Sequence, residues 1–181
     1  VPRSLSEGYR EQIGLPLLQA WGMTETSPIA TAMHLDGDEL DLLVDEQADL
    51  RTMVGRAAVG VEMRVVEPNT VNPVPWDAES SGELQCRGNW IAATHYNDPR
   101  SGESFTDDGW LRTGDVATVD ARGRVRLVDR TKDLIKSGGE WISSVELENE
   151  LMGHPAISEA AVVGVPHPRW AERPLACVVL N

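Results

Sequence analysis

Short runs of alternating apolar and polar residues fill the middle of the chain and constrain its fold more than any other feature. The runs VGVEMRVVE, GELQCRG and VATVDARGRVRLVDR lie between Val54 and Arg130, separated by turns that contain Gly, Asn and Pro. Such alternation is typical of strands with one buried face, and short turns join neighbouring strands antiparallel. We therefore predict an antiparallel sheet or small barrel over residues 54–130.

The segment before this region has a different texture. Residues 5–13 predict a short helix, and the apolar run LPLL, at Leu15 to Leu18, predicts a buried strand that ends at Gln19. Residues 36–50 are acidic with leucines at helical spacing. We expect an exposed helix or loop there, with its charges in solvent.

The segment after Arg130 predicts a helix and then two strands. SSVELENELM is helical, with Ser143 and Glu146 as a capping box, and EAAVVGV and LACVVL are apolar strands. The predicted fold class is therefore α+β. Residues 1–35 are expected to form the end of an α/β sheet unit, and residues 54–130 the barrel-like subdomain. Residues 133–181 are expected to start a small α+β C-terminal domain, with the boundary at 131–132.

The bulk composition excludes several classes of protein. Of 181 residues, 41% are hydrophobic and 25% charged, which is ordinary for a globular protein. The net charge of −13 disfavours nucleic acid as a partner, and no apolar run is long enough to span a membrane. Cys86 and Cys177 lie far apart, and we interpret them as free thiols of a cytoplasmic protein. The abrupt start at Val1 leads us to expect a piece of a longer protein.

A cluster of hydroxyls around one carboxylate follows the LPLL run. In WGMTETSP, Thr24 and Glu25 stand side by side, and oxygen ligands of this kind suit Mg²⁺ beside a phosphate. Trp21 offers a ring for stacking, and Gly22 lets a ligand approach the backbone. The alternative for this stretch is a capped helix start.

Two further stretches contain candidate ligand-binding residues. In GWLRTGD, Asp115 could accept hydrogen bonds from a ribose diol, and an ordinary turn is the alternative. In DRTKDLIKSGGEWISSVELE, Arg130 could bind ribose or phosphate, and Gly138 with Gly139 leaves room for a slim ligand. A charged linker followed by a glycine turn and a capped helix is the alternative for this third stretch.

The three stretches, in this order and spacing, resemble the adenylate-forming superfamily, which includes acyl-CoA synthetases, luciferases and the adenylation domains of peptide synthetases. The resemblance covers nearly the whole chain. GGEWISS and HPAISEAAVVGVPHPRWAERPLA are most similar to the medium- and long-chain fatty acyl-CoA synthetases. The resemblance implies that a small-molecule carboxylic acid reacts with ATP to give acyl-AMP, and that coenzyme A then displaces AMP.

The resemblance also implies residue roles, carried over position by position. The implied catalytic residues are Thr24, Glu25 and Lys136. Glu25 is also the implied Mg²⁺ ligand, and Lys132 is the implied hinge residue. The implied nucleotide- and coenzyme-binding positions are Trp21, Gly22, Met23, Thr24, Asp115, Arg130, Gly138 and Gly139. Asp115 and Arg130 are expected to bind the ribose hydroxyls of ATP or AMP.

Parts of the family's machinery do not occur in this sequence. The Gly-rich phosphate loop and the C-terminal adenylation lysine of the family have no counterpart here, so we expect the 181 residues alone to be unable to complete adenylation. The alternatives are a ligase that loads a carrier protein, an aryl-CoA ligase and a non-catalytic β-rich interaction module.

Overall fold

The chain divides into two compact units. The computed structural model describes residues 3–67, 70–138 and 140–181, and for Glu140 and Trp141 the backbone alone. The first unit comprises Val1–Thr113 and Ala117–Leu127, and the second comprises Gly114–Val116 and Val128–Asn181. The sequence-based boundary at 131–132 stays a prediction.

Helices and strands alternate irregularly along the chain. The helices are α1 (Arg3–Ile13), α2 (Val44–Leu50), α3 (Ser101–Ser104) and α4 (Ser144–Met152). Two 3₁₀ helices cover Thr24–Thr26 and Gly37–Asp41. The strands are β1 (Ala20–Trp21), β2 (Thr31–Ala32), β3 (Arg56–Ala57), β4 (Val61–Val66), β5 (Gly82–Gly88), β6 (Leu111–Val119), β7 (Val125–Arg130), β8 (Ile135–Ser137), β9 (Glu140–Ile142), β10 (Ile157–His167) and β11 (Ala171–Leu180).

Antiparallel sheets form where the alternating runs predicted them. Strands β4, β5, β6 and β7 are neighbours in that order, and β4 pairs with β5 from Val61↔Gly88 to Val66↔Glu83. A smaller sheet has the order β1-β2-β3. The bridge between Gly55 and Val125 joins the end of the smaller sheet to the first residue of β7. The predicted α+β class with antiparallel sheets is confirmed.

The core of the first unit lies on one face of the four-stranded sheet. Leu84 and Cys86 of β5 and Leu111 of β6 are almost fully buried, together with Val65 of β4. Leu84 and Cys86 are two residues apart and therefore share a face of the strand. Trp21 belongs to the same cluster, which places the start of the WGMTETSP stretch against this core.

The predicted strand over Leu15–Gln19 is wrong. Leu15 and Leu18 are 63% and 60% exposed, and the strand that follows, β1, is limited to Ala20–Trp21. Pro16 lies within the run and has no amide hydrogen to donate to a strand neighbour. An apolar run alone therefore did not determine strand or burial here.

The acidic segment 36–50 forms helices, as predicted, but not all of its charges are in solvent. Glu39 is only 3% exposed and forms ion pairs with Arg122 and Arg124. Asp36 pairs with Arg56 at 2.6 Å and Asp38 with Arg122 at 2.6 Å. The arginines belong to the sheet region, far from this segment in sequence. The local charge pattern therefore could not predict these ion pairs.

The second unit contains a four-stranded sheet and helix α4. Its order is β10-β11-β8-β9, and the hairpin β10–β11 runs from Ile157↔Leu180 to His167↔Ala171. The predicted cap of α4 is confirmed, because the Ser143 hydroxyl accepts a hydrogen bond from the amide of Glu146. In the part of the chain that the structure describes, no helix has the length and apolar character needed to cross a membrane.

Candidate active site

The loop after β1 is a turn closed by its own hydrogen bonds. The hydroxyl oxygen of Thr26 accepts from the amide of Met23 at 2.8 Å and lies 2.6 Å from the carbonyl oxygen of Pro28, to which it donates. A side chain at Gly22 would overlap the carbonyl of Pro28. Glycine at this position is therefore required by the turn itself, and Thr26 was missed because the sequence offered several equivalent hydroxyls.

Glu25 meets a histidine from a distant part of the first unit. Nε2 of His95 lies 2.9 Å from Oε1 of Glu25, and the His95 ring stands edge-on to Phe105 with centroids 5.4 Å apart. A hydrogen bond from His95 and one from the backbone hold the pKa of Glu25 below its usual value. The carboxylate is therefore ionised at neutral pH, and it accepts a hydrogen bond from the Nε2–H group of His95.

Residues 90–95 also hold the backbone of the loop after β1. The amide of Ala92 donates to the carbonyl of Glu25 at 2.8 Å, and the hydroxyl of Ser27 donates to the carbonyl of Trp90 at 3.0 Å. The indole of Trp90 donates to the carbonyl of Ile29 at 3.3 Å. Residues 90–95 thus fix both the position of Glu25 and the direction of its side chain.

The donor set around Glu25 fits a Mg²⁺ ion that is shared with a phosphate. Among the residues that the structure describes, no three His, Cys, Asp or Glu side chains form a metal cluster. Mg²⁺ is commonly held by one or two protein oxygens with waters and substrate phosphates completing its shell. One ionised, partly exposed carboxylate beside the exposed Thr24 meets that requirement.

Asp115 and Arg130 come together in the second unit. Nε of Arg130 lies 3.2 Å from Oδ1 of Asp115, and the Asp115 side chain is largely buried while that of Arg130 is 61% exposed. The amide of Thr131 donates to the carbonyl of Gly114 at 2.8 Å, which fixes the backbone beside both residues. A carboxylate beside a guanidinium presents an acceptor and several donors to a diol.

The end of β7 is anchored to the first turn of α4. Oδ2 of Asp129 accepts from the amide of Ser144 at 2.7 Å and from the hydroxyls of Ser143 and Ser144. The Ser143 hydroxyl also lies 2.9 Å from the carbonyl of Val128. A buried carboxylate at a helix N-terminus satisfies amide groups that have no partner within the helix. Asp129 therefore holds the backbone immediately before Arg130, a role that sequence reasoning missed.

The predicted coenzyme-side residues lie in and after β8. Lys136 is exposed on β8, between the buried Ile135 and Ser137. Gly138 follows in the left-handed region, with φ of 64°. Lys132 is exposed in the turn between β7 and β8, and Gly139 lies outside the described residues.

The remaining predicted residues differ in exposure. Trp21 is 8% exposed and packs in the core, so its predicted contact with adenine has little ring surface available. Met23 is partly buried against the same cluster, and Thr24 is exposed. The role of each residue stays a prediction. His95 carried no signal in sequence, since no other candidate residue lies near it in the chain.

Two family models match the chain. The model described as AMP-binding enzyme matches residues 1–96, and the model described as AMP-binding enzyme C-terminal domain matches residues 146–181. The chain belongs to the AMP-binding enzyme family. The resemblance seen in the three motifs is therefore confirmed at the level of the family.

Relatives within this family include several acid–CoA ligases. The chain is 46% identical over 179 residues to a long-chain-fatty-acid–CoA ligase of Thermus thermophilus, covering 98% of this chain and 33% of that protein. It is 44% identical over 179 residues to a medium-chain-fatty-acid–CoA ligase of Ectopseudomonas oleovorans, covering 98% and 32%. The chain thus spans about a third of the length of these relatives.

Solved structures of AMP-binding enzymes share the fold. ATP-bound MatB from Rhodopseudomonas palustris has a TM-score of 0.85 at 31% identity, covering 99% of this chain and 33% of that one. MenE, the o-succinylbenzoate CoA synthetase of Bacillus subtilis, in complex with its acyl-adenylate intermediate has a TM-score of 0.82 at 30% identity, covering 100% and 34%.

Proposed function

We propose that the protein containing this chain is an ATP-dependent ligase that joins a fatty acid to coenzyme A. The observation that carries the proposal is the Asp115–Arg130 ion pair within a chain of the AMP-binding enzyme family, since a carboxylate and a guanidinium together suit the hydroxyls of a ribose. Relatives named as long-chain and medium-chain fatty-acid ligases support a fatty acid as the substrate.

The reaction proceeds in two transfers. A carboxylate oxygen of the acid bonds to the α-phosphorus of ATP, and the bond from that phosphorus to the bridging oxygen breaks, so pyrophosphate leaves with the electron pair. The sulfur of coenzyme A then loses its proton to solvent and bonds to the acyl carbon. The bond from that carbon to the AMP oxygen breaks, which releases acyl-CoA and AMP.

The residues of this chain bind and orient the reacting groups. Asp115 and Arg130 hold the ribose, and Thr24 contacts a phosphate of ATP. Glu25 holds Mg²⁺, which offsets phosphate charge when bound. The remaining proposed nucleotide- and coenzyme-side positions are Trp21, Gly22, Met23, Lys136, Gly138 and Gly139. Because phosphoryl transfer depends mainly on positioning and charge, fixed side chains matter more here than a strong acid or base.

The domain arrangement and location form part of the same proposal. Residues 1–130 belong to the large adenylate-forming domain, and residues 133–181 belong to the small C-terminal domain. Lys132 lies at the hinge between them, where a few backbone dihedrals can change the domain orientation. Free thiols at Cys86 and Cys177 support a cytoplasmic location.

The test uses the whole protein with Mg²⁺, ATP and a panel of acids from acetate to palmitate, with benzoate included. Pyrophosphate release and acyl-CoA mass are measured with and without coenzyme A. Acyl-CoA from a medium or long acid is the expected result. A benzoyl product indicates an aryl-CoA ligase, and pyrophosphate without acyl-CoA indicates another thiol acceptor, such as a carrier protein. Absence of turnover with every acid contradicts the proposed ligase activity and favours a non-catalytic interaction module.

A further inference from the structure

The turn of the β10–β11 hairpin lies against the turn that follows β8. The amide of Gly138 donates to the carbonyl of Trp170 at 3.0 Å, and Ser137 pairs with Ala171. A Cβ added to Gly138 would stand 2.8 Å from Cε3 of the Trp170 ring. The indole therefore contacts the backbone of Gly138 directly.

A carboxylate makes a second connection between the same two turns. Oε2 of Glu172 accepts from the amide of Lys136 at 2.8 Å. The same oxygen would lie 3.2 Å from a Cβ added to Gly164, so the carboxylate also packs against β10. Glu172 thus fixes the backbone of β8 at the residue whose exposed side chain belongs to the proposed site.

The hairpin turn holds a backbone conformation that is unfavourable on its own. Ala171 has φ of 66°, which L residues other than glycine rarely adopt. The guanidinium carbon of Arg169 lies over the Trp170 ring, 4.7 Å from its centroid. Such strained residues persist where the surrounding contacts hold them, and they occur often at functional positions.

We propose that Trp170 and Glu172 are positioning residues for the 136–138 turn during transfer of the acyl group to the thiol. This inference rests on the proposed function. Glu172 sets the position of the Lys136 backbone, and Trp170 packs against Gly138, so both act through the turn and not on the reacting atoms. Loss of either support lets the turn shift, and a shift of about 1 Å can slow an oriented reaction by about 100-fold.

The test separates the two transfers in the whole protein. Formation of acyl-adenylate is followed by pyrophosphate release in a single turnover, and acyl transfer is followed after coenzyme A is added to the preformed adenylate. Glu172→Ala and Trp170→Ala are each expected to slow acyl transfer by at least about tenfold and adenylate formation by less than about twofold. Glu172→Gln is expected to retain transfer, since its amide oxygen still accepts the hydrogen bond from Lys136.

The control is Glu159→Ala, which removes an exposed carboxylate at the opposite end of the hairpin. Amide hydrogen exchange at Lys136 and Gly138 is measured in the same proteins, and it should be faster in Glu172→Ala than in Glu172→Gln. The positioning role is overturned if the alanine variants slow both transfers equally, or if Glu172→Ala and Glu172→Gln slow acyl transfer equally. It is also overturned if amide hydrogen exchange is unchanged. Failure of the unaltered protein to make acyl-CoA with any acid overturns the proposed function instead, and the exchange comparison then reports independently whether Glu172 anchors the turn.

Discussion

Glu25 and His95 are joined by a hydrogen bond of 2.9 Å although 70 positions separate them in the chain. The bond engages Oε1, one of the two carboxylate oxygens of Glu25. Because the loop backbone is also fixed by Ala92, the carboxylate has a defined direction as well as a defined position. Such orientation by a neighbouring group is common for side chains that bind metals.

His95→Phe is expected to slow adenylate formation by about tenfold, because it removes the donor that orients Glu25 while an aromatic ring still packs on Phe105. His95→Gln keeps a donor and should retain most of the rate. The measurement is pyrophosphate release by the whole protein at saturating ATP. His34→Ala removes an exposed histidine and serves as the control. A His95→Phe protein as fast as the unaltered one would contradict the orienting role.

Asp115→Asn is expected to weaken AMP binding by about tenfold, since the amide loses the charge that strengthens its hydrogen bonds to the ribose. Titration calorimetry with AMP and with its 2′,3′-dideoxy analogue gives a sharper readout. The unaltered protein should prefer AMP, and the variant should lose that preference. Asp133→Asn, in the exposed turn after β7, should keep it. If the Asp115→Asn protein discriminates between the two nucleotides as well as the unaltered protein does, the proposed contact between Asp115 and the ribose is wrong.

Glu39→Ala is expected to lower the free energy of unfolding by about 3 kcal/mol, because it leaves the buried guanidinium of Arg124 without one of its carboxylate partners. With a urea dependence of about 2 kcal/mol per M, the unfolding midpoint should fall by about 1.5 M. Urea unfolding followed by Trp fluorescence measures this shift. Asp41→Ala, which removes an exposed carboxylate of the same segment, should change the midpoint little. Similar midpoints for the two variants would show that Glu39 is not a stabilising partner.

The two cysteines should differ sharply in reactivity. Burial raises the pKa of Cys86 to about 12, so its thiol stays protonated and unreactive at pH 7.5, whereas Cys177 is exposed on β11. A disulfide exchange reagent should titrate one thiol per native chain and two after denaturation. Cys177→Ser should abolish the native reaction. Rapid native modification of the Cys177→Ser protein would mean that Cys86 is accessible.

The sequence predicted those parts of the fold that depend on local patterns. Alternation located the strands β4 to β7, and the pair Ser143 and Glu146 located the start of α4, because both signals involve neighbours in the chain. The prediction of a buried strand at Leu15–Gln19 was wrong, because the burial of an apolar run depends on which residues pack against it. Glu39 was misread for the same reason, since its arginine partners lie more than 80 positions away.

The candidate site was predicted as motifs and not as contacts. Asp115 and Arg130 were both identified, and the structure pairs them. His95, Asp129 and Glu172 escaped notice because each acts on a segment that lies apart in sequence. A residue that orients another group carries no local signature, so only the folded chain shows it.

The self-closed turn over residues 22–28 has a thermodynamic consequence for binding. Thr26 ties the amide of Met23 to the carbonyl of Pro28, so the loop loses its conformational entropy when the chain folds. A ligand that contacts Thr24 and Glu25 then has little further backbone to order. The conformational entropy lost when backbone is ordered opposes folding or binding by about 1–2 kcal/mol for each residue fixed. Thr26→Ala should therefore make ATP binding less favourable mainly through its entropy.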